Sequence, residues 1–129
     1  MKDKELLLID ITARVPYGIK VKIYSMEEPY GSEPIKLTPY LLYDRWENIL
    51  DIKPYLRPMS SMTVGEEYEY HQCKNIDYLE VCEMEHREML KTTALCFSRA
   101  TDWLNKKGFD YRGLIEKGLA LEAPEEMYK

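Results

Sequence analysis

Both histidines of the chain and two of its three cysteines fall within sixteen residues, at His71, Cys73, Cys82 and His86, the side chains here best suited to grip a metal ion. Zinc favours a tetrahedron of thiolate and imidazole, and Cys82 and His86, four apart, share a face if their segment is helical. Three features weaken that chemistry. His-x-Cys is an uncommon first ligand pair, and the stretch between the pairs is shorter than the usual finger spacing. Cys82 also stands among Tyr78, Leu79 and Val81, where a buried thiol acting as a small hydrophobe is the commoner case. The expectation is no metal and no cofactor, with these four residues as the weak zinc candidates.

Other reactive groupings are not marked. A working serine or cysteine needs a base and an orienting group, and with both histidines in an acidic segment nothing marks such a grouping. There is no phosphate-cradling glycine loop, no Walker-type lysine and no dinucleotide fingerprint, so an enzyme is not expected. Recognition is the remaining chemistry. Of eleven tyrosines, Tyr17, Tyr24, Tyr30, Tyr40, Tyr43 and Tyr55 lie in the first half beside Lys20, Lys22, Lys36, Arg45 and Arg57. Aromatics interleaved with cations can stack the bases of single-stranded nucleic acid or meet a protein, although tyrosines also serve simply as amphipathic edges of a small sheet. Arg112, between Tyr111 and Gly113, is placed either to contact a partner or to pair with Asp110 or helix-end carbonyls. Tyr111, Arg112 and Arg57 are the binding residues this reading marks.

Composition narrows the partner. The 129 residues suit a single domain, and 45% hydrophobic with 32% charged residues is ordinary for a soluble protein. No apolar run approaches the roughly 20 residues that cross a bilayer. Met1 to Glu5 is charged and leads into a short apolar run without a small-residue cleavage site, so a cytoplasmic protein with reduced thiols is expected. The net charge of −5 is concentrated between Glu66 and Glu88, which alone carries −6. Nucleic acid and anionic membrane are therefore disfavoured as partners, and another protein is favoured. The acidic run itself reads as a solvated helix face.

Elements must position these groups. Leu7 to Val15 fits both a helical stripe and a strand alternation, and ends at Pro16-Tyr17-Gly18. Ile19, Val21 and Ile23 alternate with Lys20, Lys22 and Tyr24 as a half-buried strand. Ser25 to Pro34 reads as a loop. Ile35 to Arg45 is expected as a second strand with Pro39 at an edge or bulge, and Trp46 to Ile52 as a third with Trp46, Ile49 and Ile52 in the core. Lys53 to Pro58 carries too many prolines for a ladder interior. Thr63 and Glu66 form a capping box that starts a helix, and Pro58 to Thr63 is a seam between two halves. Ile76 to Arg87 and Leu90 to Leu104 have helical spacing, the latter through Leu90, Ala94, Phe97 and Leu104. Lys106 and Lys107 suit a helix C-terminus capped by Gly108. Asp110 is an N-cap for a short helix carrying Leu114, Ile115, Leu119 and Leu121, which Gly118 weakens.

Two places carry a resemblance. ARVPYGIKV (Ala13 to Val21) with DIKPYLRPMSSMT (Asp51 to Thr63), and DWLNKKGFDYRGLIEKGLALEAP (Asp102 to Pro124), resemble an uncharacterised family of small proteins of gut anaerobes, their prophages and mobile elements. The blocks cover somewhat under half of the chain, in family order, and Val64 to Thr101 departs from the pattern. The resemblance implies a phage or mobile-element context, no particular reaction, and a helix before the PYG turn. The expected fold is α+β in one domain: a small antiparallel sheet, SH3-like if it closes as a half barrel, in a β-rich half over about 1–58, then a helical half over about 59–124. The expected function is non-catalytic binding or adaptor activity through the tyrosine-rich β face or the acidic helix. Zinc binding and single-stranded nucleic-acid binding are the alternatives.

Overall fold

The computed structural model describes residues 2–24, 34–74 and 86–128. Helix α1, Asp3–Arg14, has acids in its first turn and Arg14 in its last, and buries Leu7, Asp10, Ile11 and Arg14, one face at helical spacing. The helix expected before the PYG turn is present. A 3-10 turn at Val15–Tyr17 and Gly18 at φ 72° then swing the chain into β1, Lys20–Ile23, with Ile19, Val21 and Ile23 buried as the alternation requires.

The next segment departs from expectation. Strand β2 is only Ile35–Lys36, antiparallel to β1. Thr38 then caps a helix, accepting from the Leu41 amide at 3.1 Å, with Pro39 at the first turn where its missing N–H is harmless; α2 runs Pro39–Asp44. Trp46–Asp51 is 3-10 helix, not a third strand, and buries Ile49 while Trp46 stays 47% exposed.

The central strand is the proline-bearing stretch. β3, Ile52–Pro58, pairs antiparallel with β1 through Ile52–Pro54, and in parallel with β5 (Leu121–Glu122) and β4 (Phe109–Asp110) through Tyr55–Pro58. Proline is tolerated there because backbone groups alternate sides along a strand. The Asp51 carbonyl accepts from Tyr24 N, so Pro54, three residues on, turns its donorless nitrogen away from β1. The sheet is thus five-stranded and mixed, with helices interspersed, not an antiparallel or SH3-like sheet followed by a helical half. Pro58 to Thr63 is no seam, since both late strands return to β3.

The capping box forms as read: Thr63 Oγ1 accepts from Glu66 N at 3.2 Å and Glu66 Oε1 from Thr63 N at 3.1 Å, starting α3, Val64–Lys74. It packs along α4, His86–Lys107. The reading of 76–85 lies outside the described residues. Within α4 the buried row is Cys96, Ala100 and Leu104, and Ala94 and Phe97, expected inside, are exposed. Spacing alone allowed either row, and the row with the smaller side chains faces in.

Gly108 closes α4 at φ 80°, and a methyl on it would stand 2.7 Å from Tyr128 Cδ2. That ring is fixed. Its hydroxyl donates to the Tyr55 carbonyl at 2.5 Å and accepts from Lys20 N at 3.2 Å, bridging β1 and β3, and burial pushes the phenol up to about 12. Gly108→Ala is expected to lose about 2 kcal/mol in a thermal melt, the left-handed strain plus displacement of Tyr128. Gly113→Ala, also left-handed at φ 75° but facing open space, is the control and should lose only about 1 kcal/mol. Equal losses would show that Tyr128 does not matter.

The expected short helix after Asp110 is instead one turn closed at both ends. Asp110 carboxylate oxygens accept from Leu114 N and Ile115 N, each at 2.9 Å, and Leu119 N and Gly118 N donate back to the Leu114 and Ile115 carbonyls. The latter pair is the Schellman pattern, with Gly118 at φ 74° as its required left-handed residue. Gly118 is a stop, not a weak link.

Candidate binding surface

The marked residues Tyr111, Arg112 and Arg57 are drawn into internal contacts. Arg112 Nη1 donates to Asp10 Oδ1 at 2.7 Å and its guanidinium lies 4.4 Å from the Tyr111 ring centroid. Asp10 Oδ2 accepts from Arg14 Nε at 2.9 Å, both side chains being fully buried, and Arg14 Nη2 reaches the Phe109 carbonyl. Tyr111 donates to Asn105 Oδ1 at 3.0 Å. Arg112 therefore pairs with a carboxylate, as one reading allowed, but with Asp10 of the first helix and not with neighbouring Asp110.

Arg57 is similarly committed. It is nearly buried, makes two bonds to the Glu66 carboxylate at 2.7 and 2.8 Å, and lies 4.2 Å from the centroid of Phe109. Those bonds hold the Glu66 carboxyl down to about 2, against the smaller opposing effect of desolvation. Phe109, with no exposed surface, stacks on Trp103 at 5.7 Å. The corner from Trp103 to Tyr111 is thus packed against the strands as a fastening between helix and sheet.

Of the zinc candidates, His71 is exposed and Cys73 half-buried, two residues apart on α3 and so about 200° apart around its axis. Cys82 and the His86 side chain lie outside what is described, and among the described residues no group of three metal-ligating side chains occurs.

The tyrosines do not share one β face. Tyr24 lies near Lys22 Nζ and Lys53 Nζ, 4.9 and 5.3 Å from its ring centroid, whereas Tyr55 is half-buried in β3. Tyr30 is outside the described residues. Tyr40 and Tyr43 belong to α2, 77% and 82% exposed, because Leu42 takes the core-facing position. Tyr40 and Tyr43, at i and i+3, share one side of α2, and Trp46 follows after Arg45, whose φ −103° and ψ 9° leave the helical region, at the start of the 3-10 segment.

Tyr43 and Trp46 stand at a cleft. One part, about 290 Å³, is lined by Thr12, Val15 and Pro16 from the end of α1 and its turn, and by Pro39, Leu42, Tyr43 and Trp46 opposite. The adjoining part, about 650 Å³, is lined by Tyr43, Asp44, Trp46, Glu47 and Asn48. The two share Tyr43 and Trp46, so one pair of aromatic rings borders both an apolar slot and a recess bearing two carboxylates. A contiguous exposed apolar patch, not a single exposed ring, is the informative exception on a protein surface. The signal for it was present in Thr38-Pro39, a helix start, which turns the run of aromatics after it from strand edges into one helix face.

Comparison with family models, with curated proteins and with solved structures finds no match to this chain.

Proposed function

We propose that the chain is a non-catalytic binding protein, an adaptor serving a phage or mobile element, and that its contact surface is the cleft carrying Tyr43 and Trp46. The observation that carries this reading is the exposure of those two rings, 82% and 47%, beside an apolar slot. Tyrosine and tryptophan dominate binding hot spots because they bring large area with little side-chain entropy to lose. The phage or mobile-element setting is supported by the resemblance of Ala13 to Val21, Asp51 to Thr63 and Asp102 to Pro124. Among the described residues no helix is long and apolar enough to cross a membrane.

Affinity purification from the native host tests it. Wild type is compared with Tyr43→Ser/Trp46→Ser, a change at exposed positions expected to move the thermal midpoint little. A protein retained by wild type and lost from the variant is expected; identical captures by the two would remove the cleft from the function.

A further inference from the structure

Resting on the reading of the cleft as a protein-binding surface, we infer that its occupant is an extended, proline-containing segment of a partner protein that bears an arginine. Three features converge on this chemistry. The slot of about 290 Å³ between the Val15-Pro16 turn and α2 is too small for the row of side chains that an amphipathic helix lays into a groove. It fits one or two prolyl or aliphatic side chains. Tyr43 and Trp46 form part of its wall, and aromatic-lined grooves take polyproline segments because the prolyl ring stacks on them and the ligand is already extended before binding.

The neighbouring recess supplies the charge preference. Asp44 and Glu47 line it, and neither part of the cleft has a lysine or arginine among its lining residues. Among the described residues Asp44 has one long ion pair, to Arg45 Nε at 3.7 Å, and its side chain is 55% exposed. A guanidinium placed there meets carboxylates and the face of Trp46 or Tyr43 together, and arginine suits both contacts through its planar fork and its affinity for aromatic faces. Phosphate groups would meet the same carboxylates unfavourably, which argues against a nucleic acid in this cleft.

Fluorescence anisotropy with three labelled peptides tests the inference on the full chain: a proline-leucine repeat ending in two arginines, the same peptide ending in two glutamates, and an arginine peptide with glycine and serine replacing proline. The first is expected to bind, the second at least about tenfold more weakly, and the third about tenfold more weakly from loss of preorganisation. Asp44→Asn/Glu47→Gln should bring the first two peptides within about threefold of each other, and Tyr43→Ser/Trp46→Ser should abolish binding. Failure of the first peptide to bind, equal binding of all three, or indifference to the aromatic pair overturns the inference. So does a chain that is dimeric in sedimentation and becomes monomeric in the aromatic variant, since the occupant is then a second copy. The host purification separates the two claims: a partner lost with Tyr43 and Trp46, but displaced by none of the peptides, leaves the surface standing and removes only the partner chemistry.

Discussion

Asp10→Ala is expected to destabilise the protein by about 3 to 5 kcal/mol, the cost of stranding a buried guanidinium. Asp10 and Arg14 are both fully buried, and the Asp10 carboxylate holds Arg14 Nε with one oxygen and Arg112 Nη1 with the other. Arg14 Nη1 has no hydrogen-bond partner among the described residues, so without Asp10 only Nη2, on the Phe109 carbonyl, remains engaged. Against a total stability of about 5 to 15 kcal/mol, that loss takes from about a fifth to all of the margin. Urea denaturation followed by far-UV circular dichroism checks it, with the midpoint shifting and the slope unchanged. A second variant guards against the trivial outcome. Asp10→Leu/Arg14→Met removes both charges while keeping volume, and is expected to recover more than half of the loss. Should the double variant be worse than Asp10→Ala, the pair contributes net stability and the description of an isolated buried charge is wrong. Arg112→Ala, at the partly exposed edge of the cluster, should cost only about 1 kcal/mol.

That cluster marks where reading the sequence stops. The face of α1 was half legible: Leu7, Ile11 and Val15 fit a helical stripe, but Asp10 and Arg14 complete the same face, and charged residues at core positions read as solvent-facing until their partners are known. The partner is 102 residues away at Arg112, a separation that no local spacing reveals. Local chemistry was readable where it closes on itself, as in the Thr63 and Glu66 capping box, the Gly108 stop and the β1 alternation. It misled where one residue type has two uses. Prolines marked β3 as an unfit strand, yet the side of the strand a donor faces decides whether its absence matters. Pro39 likewise suggested a strand bulge, although after Thr38 it starts a helix. The binding surface suffered from the same error, because Tyr40 and Tyr43 leave the expected strand for one exposed helix side only when that helix is recognised.

Glu66 gives the second large effect, and its sign follows from its titration. The carboxyl is lowered from 4.5 in the unfolded chain to about 2 in the folded one, mainly by the two bonds from Arg57. A depressed folded value means that the unfolded state takes up the proton first on acidification, so the stabilisation is complete above about pH 4.5 and is lost as the pH falls toward 2. With the Glu66 side chain 17% exposed, solvent screening reduces the contribution to about 2 kcal/mol. Glu66→Gln is expected to cost about 3 kcal/mol at pH 7, since Arg57, 8% exposed and held over Phe109, then has a neutral partner and the capping box is weakened. The informative quantity is the difference between wild type and Glu66→Gln measured by urea denaturation at pH 7, 5, 3.5 and 2. Other carboxylates titrate in both proteins and cancel in it. The difference should hold steady from pH 7 to 5 and then shrink by about 2 kcal/mol by pH 2. A difference independent of pH would mean that Glu66 acts through shape and not charge. The clasp between β3, α3 and Phe109 would then owe its strength to packing.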